Sequence, residues 1–571
     1  MSYPEHLEEW VDAGVVERRH LRSAASLVTM AGVVGSVPDL AWVAFALVLA
    51  APDAGHTCVD FGQIDLWADA DEGLPATWST KSEDWTAAVS SCPALVALPG
   101  AHTRTEREPF VLQGTLLYSA RSLAEETAIA EKLNARIKAG TLQVLTGGPG
   151  SGKTTEVAKR IVNAVAQGSL GDRVALAAPT GLAAKRMARA LTSAVASIDR
   201  EDRAAGGPGL DDATFDTIEK LPKSTIHRLL RYNPAARVRW RHNADTPLDQ
   251  STVVIDEVSM MDLTMMSRLL DAVKPDATLM LVGDPHQLAS VDAGTVLADL
   301  VRAAGDNAPW LTPKEGNFRF RVGSPVYDIA QATKNGDPGA VMEAVRHHHD
   351  AHASTPGPHF AWVDPEKDTA ELNALARSVA EHARHLCRMA AVATSEAEQK
   401  AVLAFRDSVQ VVCAHRRGNL GVSGWNAAVE RQLGKLGGGQ WYAGRPVMVT
   451  ANDPFTKLAN GDIGVVCGTG ANKTVVFGGA ENIETIPIAR MPHVETVHAL
   501  TIHKSQGSEY AHTIVVLPIR ASRILTRELL YTGMTRAKSS LTIVGTEDVI
   551  TTAVEVQVRR ATGLADRVNK K

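Results

Sequence analysis

The stretch Gly147-Gly148-Pro149-Gly150-Ser151-Gly152-Lys153-Thr154-Thr155 carries the residue types that a bound triphosphate requires. From Gly147 to Thr154 it fits GxxxxGK[ST] at every fixed place, between a short apolar run, Leu142–Leu145, and a helical pattern. The glycines let backbone N–H groups turn inward onto phosphate oxygens, and the helix that follows presents its positive end to the anion. Lys153 is placed to reach the β- and γ-phosphates, and Thr154 to hold Mg²⁺. A second set, Val253-Val254-Ile255-Asp256-Glu257, is an apolar strand ending in two carboxylates. Asp256 suits Mg²⁺, and Glu257 suits accepting a proton from an attacking water. An Asp–Glu pair after a strand is weak evidence alone; at 102 residues beyond Thr154, in a second strand of the same fold, it is strong. Together the two sets establish NTP hydrolysis. They do not say what it drives, because GTPases, transporters and kinases share the loop.

The elements that must position these residues are legible around them. Apolar runs recur at Val174–Ala178, Val253–Ile255 and Thr278–Val282, each followed by a polar or glycine-containing turn. That repetition predicts a parallel sheet with sites at the strand C-termini. A second α/β pattern starts near Phe318, with strands expected at Val409–Ala414, Thr513–Leu517 and Ser540–Val544. Between them, Gly444–Arg490 is dense in glycine and short β-runs and reads as a small inserted β-barrel. Ahead of residue 115, Ser23–Met30 and Leu40–Ala51 read as helices of a mainly helical domain with irregular, Trp-containing connections. Leu40–Ala51 falls short of the ~17–25 apolar residues of a membrane span and reads as a buried core helix. Asp199–Asp216, rich in Gly, Asp, Arg and Ala, reads as a mobile surface loop. The division expected is 1–115, 116–317 and 318–571, with a small hairpin near 231–250 and the barrel near 444–490.

Composition narrows the partners. A net charge of −5 over 571 residues gives no global field for nucleic acid, so any DNA contact must be a local groove. The five cysteines, Cys58, Cys92, Cys387, Cys413 and Cys467, are far apart and never form CxxC, which predicts buried free thiols rather than disulfides or a metal ribbon. The polar, acidic start, MSYPEHLEEW, reads as no signal peptide. Adjacent histidines on a helix point in different directions, so His347-His348-His349 with His352 reads as an exposed helix end rather than a metal site.

Further stretches, in order along the chain, resemble the motifs of superfamily 1 helicases. They are Ala178-Pro179-Thr180-Gly181-Leu182-Ala183-Ala184-Lys185, Thr225-Ile226-His227-Arg228-Leu229-Leu230, Gly283-Asp284-Pro285-His286-Gln287-Leu288, Asn317-Phe318-Arg319-Phe320, Thr501–Glu509 and Tyr531–Lys538. TIHKSQGSEY, LLYTGMTRAK and VVIDEVSMMDL look most like the RecD branch of superfamily 1B, the alpha subunits of RecBCD-type exonuclease V complexes. The resemblance implies an α/β fold of two tandem RecA-like P-loop NTPase domains, an N-terminal mainly helical domain and an SH3-like β-barrel insertion. It implies ATP and Mg²⁺, with Gln287 sensing the γ-phosphate and Arg319 and Arg536 reaching the nucleotide across a cleft. It implies DNA contacts at Pro179, Thr180, His227, Thr501, His503, Lys504 and Gln506, and 5′→3′ unwinding. Arg239-Trp240-Arg241-His242-Asn243 resembles a segment near a hairpin that splits duplex DNA. Gly55-His56-Thr57-Cys58-Val59-Asp60 resembles the N-terminal domain by which the partner-dependent type docks on a RecC-like subunit, beside a RecB-like one, in the bacterial cytosol at the nucleoid. No glutamine lies between Ser119 and Gly140 to read adenine, and no carboxylate–lysine constellation typical of a nuclease is found. A stand-alone superfamily 1B helicase and a mainly structural or regulatory subunit remain the alternatives.

Overall fold

The structure, a computed structural model, describes residues 3–67, 74–75, 78–98, 108–167, 173–233, 235–236, 238–305, 308–314, 316, 322–352, 360–437, 439–453, 455–456, 458–470, 472–478, 483–491 and 493–568. At the N-terminal end, helix Asp39–Ala50 is buried from Ala41 to Val48 on every side, which is why its sequence carries no polar stripe. Helix Arg18–Met30 lays Leu21, Ala24, Ala25 and Val28 into the same core. The tryptophans are not irregular connections but the centre of that core. Trp85 is 0% exposed, with its ring 6.1 Å from Trp10, 5.6 Å from Trp78 and 5.7 Å from Phe61. Trp85→Ala is expected to cost about 3–5 kcal/mol, read as a lower denaturant midpoint for this unit. A midpoint within error of the parent would show that the cluster does not hold the unit together.

This unit also contains a sheet that sequence patterning missed. Strands β1 (Cys58–Asp60), β2 (Val96–Ala97), β3 (Phe110–Gln113) and β4 (Leu116–Ser119) lie in the order β1-β4-β3-β2. Strands of two to four residues are too short to show a period. The boundary expected after residue 115 falls inside the β3–β4 hairpin, so the unit runs on to Ser119. The Ser119 hydroxyl then caps helix Ala120–Ala139, accepting from the Ser122 N–H at 3.1 Å.

The first α/β unit is a six-stranded parallel sheet in the order β10-β5-β9-β8-β6-β7. Its strands are β5 (Leu142–Thr146), β6 (Val174–Ala178), β7 (Lys223–Thr225), β8 (Thr252–Ile255), β9 (Thr278–Gly283) and β10 (Leu311–Pro313). The expected loop over Asp199–Asp216 is mostly helix. Helix Gly181–Ala204 runs through its first part, helped by an Arg203–Asp199 pair at 3.0 Å. Helix Asp212–Lys220 begins where Asp211 accepts the Thr214 N–H at 2.8 Å. Cap chemistry had the composition of a loop. Among the described residues near 231–250, the expected hairpin shows one antiparallel bridge, Tyr232 to Trp240.

The second α/β unit is a five-stranded parallel sheet, β11-β20-β19-β12-β18. Its strands are β11 (Phe360–Val363), β12 (Val409–Cys413), β18 (Ala499–Thr501), β19 (Tyr510–Val516) and β20 (Ala537–Val544). Between β12 and β18 the chain leaves to form a separate antiparallel sheet, β16-β15-β14-β13-β17. Its members are β13 (Pro446–Val449), β14 (Ile463–Cys467), β15 (Thr474–Gly478), β16 (Ile483–Pro487) and β17 (Val494–Thr496), so the insertion extends past residue 490. After helix Glu547–Glu555 the chain does not stay with this unit. The Thr57 N–H donates to the Ala561 carbonyl at 3.0 Å, and the Ala561 N–H donates to His56 Nδ1 at 2.9 Å. Leu564 and Val568 enter the core of the first α/β unit. The expected domain 318–571 therefore ends in a strap that ties all three parts together.

The five cysteines are buried free thiols. His348 Nε2 lies 2.9 Å from Asp328, and His349 Nδ1 accepts the Trp362 N–H at 3.2 Å. Among the described residues no group of three metal-ligating side chains gathers, and no helix is long and apolar enough to cross a membrane.

Candidate nucleotide-binding and hydrolysis site

The sheet order puts the chemistry at one edge of the first α/β unit. Strands β5 and β8 flank β9, so the phosphate loop, the Asp256–Glu257 pair and the Asp284–Gln287 segment all leave neighbouring strand C-termini. Gly152 takes φ 75° as the N-cap of helix Lys153–Ala166, a left-handed conformation that glycine adopts freely. At Gly147 the need is space: a Cβ would sit 2.6 Å from the Lys314 carbonyl.

The Lys153 ammonium donates to the carbonyls of Gly147 and, at 3.0 Å, Gly148. Burial pulls its pKa below the usual lysine range, against the opposing pull of Asp284, Glu257 and Asp256. The Thr154 hydroxyl donates to Asp256 Oδ2 at 3.0 Å. Burial, then the neighbouring Glu257 carboxylate, holds Asp256 above the usual carboxylate range. A buried carboxylate, a second partly buried one and a hydroxyl form a hard-oxygen set that a divalent cation would relieve, so the donor set fits Mg²⁺. Glu257 itself sits at φ 56°, a conformation that costs a non-glycine residue on the order of 1 kcal/mol and that collects at active sites.

The second α/β unit supplies the opposite wall. Arg536 is 2% exposed. Its Nε donates to the Thr532 carbonyl at 2.9 Å, Nη1 to the Ser508 carbonyl at 3.3 Å and Nη2 to Gln287 Oε1 at 3.2 Å. Gln287 in turn donates to Asp284 Oδ2 at 3.1 Å, and Tyr531 donates to the same oxygen at 3.4 Å. Lys153, Thr154, Thr155, Asp256, Glu257, Gln287 and Arg536 share one cavity of about 290 Å³. Gly148, Pro149, Gly150, Ser151 and Gly152 form its loop wall. Lys153 and Arg536 thus line one cavity from different units. Arg319 lies outside the described residues.

Two charged residues of this cavity were not assigned from sequence. Arg186 and Glu509 line it and pair at 2.6 Å, and Arg186 stands 3.7 Å from Glu257. A signal existed: Arg186 directly follows the stretch ending at Lys185, and Glu509 closes the stretch that begins at Thr501. Their charge alone did not separate them from surface residues.

The expected DNA-contact residues divide. Pro179 and Thr180 follow β6, where the Thr180 hydroxyl caps helix Gly181–Ala204 by accepting the Ala183 N–H at 3.2 Å. The His227 ring packs 5.4 Å from both Tyr232 and Trp240, whose rings lie 4.5 Å apart. Thr501 is buried, with its hydroxyl accepting the Lys504 N–H at 3.2 Å. Lys504 pairs with Glu495. His503 is half-buried, and burial lowers its pKa. Gln506 crosses to the other unit and donates to the Leu288 carbonyl at 3.1 Å. A further cross-unit contact joins Lys185 to Asp462, the residue before β14, at 2.7 Å.

The family model for the N-terminal domain of RecBCD enzyme subunit RecD matches residues 23–118. An AAA domain matches residues 127–293, and a UvrD-like helicase C-terminal domain matches residues 496–544. The chain is 37% identical to "RecBCD enzyme subunit RecD" of Mycolicibacterium smegmatis, over 92% of this chain and 93% of that protein. It is 36% identical to the protein of the same name from Mycobacterium tuberculosis, over 97% of this chain and 95% of that one. It is also 31% identical to "ATP-dependent RecD2 DNA helicase" of Deinococcus radiodurans, over 75% of this chain and 50% of that protein. With identity of this level running from the N-terminal core through both walls of the cavity, the chain belongs to the RecD family of RecBCD enzyme subunits.

Proposed function

We propose that the chain is an ATP-dependent DNA helicase that moves 5′→3′ along a single strand as one subunit of a RecBCD-type helicase/nuclease, processing double-strand ends for recombinational repair. The observation that carries this reading is the shared cavity. Lys153 and Glu257 come from one α/β unit and Arg536 from the other, so a γ-phosphate there contacts both. Splitting it and releasing the phosphate removes charge that both units hold, and the cleft is free to open. Thr154 and Asp256 would hold Mg²⁺, which supplies further positive charge to the phosphates when bound. Lys153, Gln287 and Arg536 stabilise the transferred phosphoryl group, with Arg319 as a second arginine, and Glu257 orients and deprotonates the water.

The DNA strand runs over Pro179, Thr180, His227, Thr501, His503, Lys504 and Gln506, at the carboxyl ends of both sheets. The Tyr232–Trp240 pair beside His227 offers aromatic faces on which bases stack at a fork. Residues 1–119 form the docking unit for a RecC-like partner beside a RecB-like one. Two RecA-like domains follow, and the sheet of β13–β17 is taken as an SH3-like domain. The assembly works at the nucleoid of the bacterial cytosol, and the nuclease chemistry lies on another chain.

The test uses the chain assembled with its RecB- and RecC-like partners, the 3′→5′ motor of the complex being inactivated. Duplexes with a 5′ tail are expected to unwind with ATP and Mg²⁺ and to stop on chelation. Duplexes with a 3′ tail are expected to stay closed. Unwinding from 3′ tails alone overturns the polarity, and full unwinding by the chain without partners favours a stand-alone enzyme.

A further inference from the structure

We infer that Arg186 is a positioning residue that carries the state of the second α/β unit to the hydrolytic carboxylate Glu257. The inference rests on the helicase reading above and deepens it, naming how DNA in the second unit changes hydrolysis in the first.

Arg186 lies in the second turn of helix Gly181–Ala204, whose start is fixed by the Thr180 cap. Its guanidinium stands between two carboxylates: Nη2 is 2.6 Å from Glu509 and Nη1 is 3.7 Å from Glu257. Glu257 is in the first α/β unit, and Glu509 directly precedes β19 of the second. Both neighbours of Glu509 are tied to Arg536. The Ser508 carbonyl accepts from Arg536 Nη1 at 3.3 Å, and the Tyr510 N–H donates to the Arg536 carbonyl at 2.9 Å. Glu509 therefore moves with the arginine that faces the nucleotide. Six residues before it, His503 belongs to the stretch assigned to the DNA strand, and Gly507 comes against Leu182 and Ala183 of the Arg186 helix.

A guanidinium is a planar fork that serves two carboxylates at once, and a shift of either changes its hold on the other. With Glu509 near, the closer bond is to Glu509 and the Glu257 carboxylate is held loosely from one side. With Glu509 displaced, the same charge falls on Glu257 and turns its carboxylate away from the water it must orient. The position of Glu509, set by DNA and by Arg536, decides which arrangement holds.

The test measures steady-state ATPase of the assembled complex, the other motor being inactivated, with and without single-stranded DNA. Glu509→Gln keeps the shape and removes the charge. It is expected to lower the DNA-stimulated kcat about tenfold while the KM for ATP stays within about twofold, and Glu509→Asp is expected to restore part of the stimulation. Arg186→Lys, a point charge on a flexible stem, is expected to lose the stimulation as well. Glu509→Gln added to Arg186→Ala is expected to cause no further loss, because both act through one contact. Full DNA stimulation in Glu509→Gln, or losses that add in the double variant, overturns the coupling. Absence of DNA stimulation in the parent instead overturns the helicase reading, so the two failures are told apart.

Discussion

Arg536→Ala is expected to lower DNA-stimulated ATP hydrolysis by about 10³-fold or more while nucleotide binding changes far less. Arg536 is nearly inaccessible, and each of its three guanidinium nitrogens has a named acceptor: Thr532, Ser508 and Gln287. Two of those acceptors lie in its own unit and fix its direction, while Gln287 belongs to the opposite wall. A cation so held costs no reorganisation when charge develops on the transferring phosphoryl group, and cross-cleft arginines of this kind contribute about 10³–10⁵ in rate. Ground-state affinity comes mainly from the loop amides and Lys153, so it survives. Arg536→Lys is expected to recover little, because an ammonium cannot serve Thr532, Ser508 and Gln287 from one plane. Single-turnover hydrolysis with fluorescent-nucleotide titration separates the two quantities. Hydrolysis within tenfold of the parent would mean that the second unit does not act on the phosphate.

What the sequence disclosed about this site follows from how tightly each residue is constrained. At Gly147 and Gly152 the backbone leaves no alternative to glycine, and phosphate and cation chemistry restrict Lys153, Thr154, Asp256 and Glu257 to few types. Such positions are recognisable one by one. Arg186 and Glu509 are constrained only by each other, across 323 residues and two units, and nothing local marks either of them. The same contrast holds for the fold. Strands buried on both faces, such as β8 and β9, read as apolar runs because every side chain meets core. Strands β1 to β4 are too short for a pattern. The strap from Val556 to Gly563 is neither helix nor strand, and its partners, His56, Thr57 and Glu126, lie hundreds of residues away. The stretch Gly55-His56-Thr57, singled out by resemblance, is where that strap lands. Gly55 takes φ 82°, a left-handed conformation that favours glycine, and a Cβ there would also meet the Arg560 guanidinium at 2.7 Å.

Lys153→Gln is expected to lower ATPase by about 10²–10³-fold and to leave assembly with the partner subunits intact. Its effect differs in kind from that of Arg536, since Lys153 lies at the loop that receives the triphosphate and binding weakens together with turnover. The ammonium bonds only loop carbonyls, so its loss removes no core contact and melting should change little. Glutamine keeps much of the stem and can donate to a phosphate, but it brings no charge to a buried cavity that also contains Asp256 and Glu257. Without that cation the phosphate oxygens face the two carboxylates with one positive charge fewer, and the metal and Arg536 must offset them. On the proposed docking, partner assembly uses the N-terminal unit, whose core of Trp10, Trp42 and Trp85 is separate from this loop. Co-purification of the partners, with hydrolysis measured on the same preparation after the other motor is inactivated, checks both halves of the expectation. Parental hydrolysis in that preparation would remove Lys153 from the phosphate site, and the assignment of every other residue in the cavity with it.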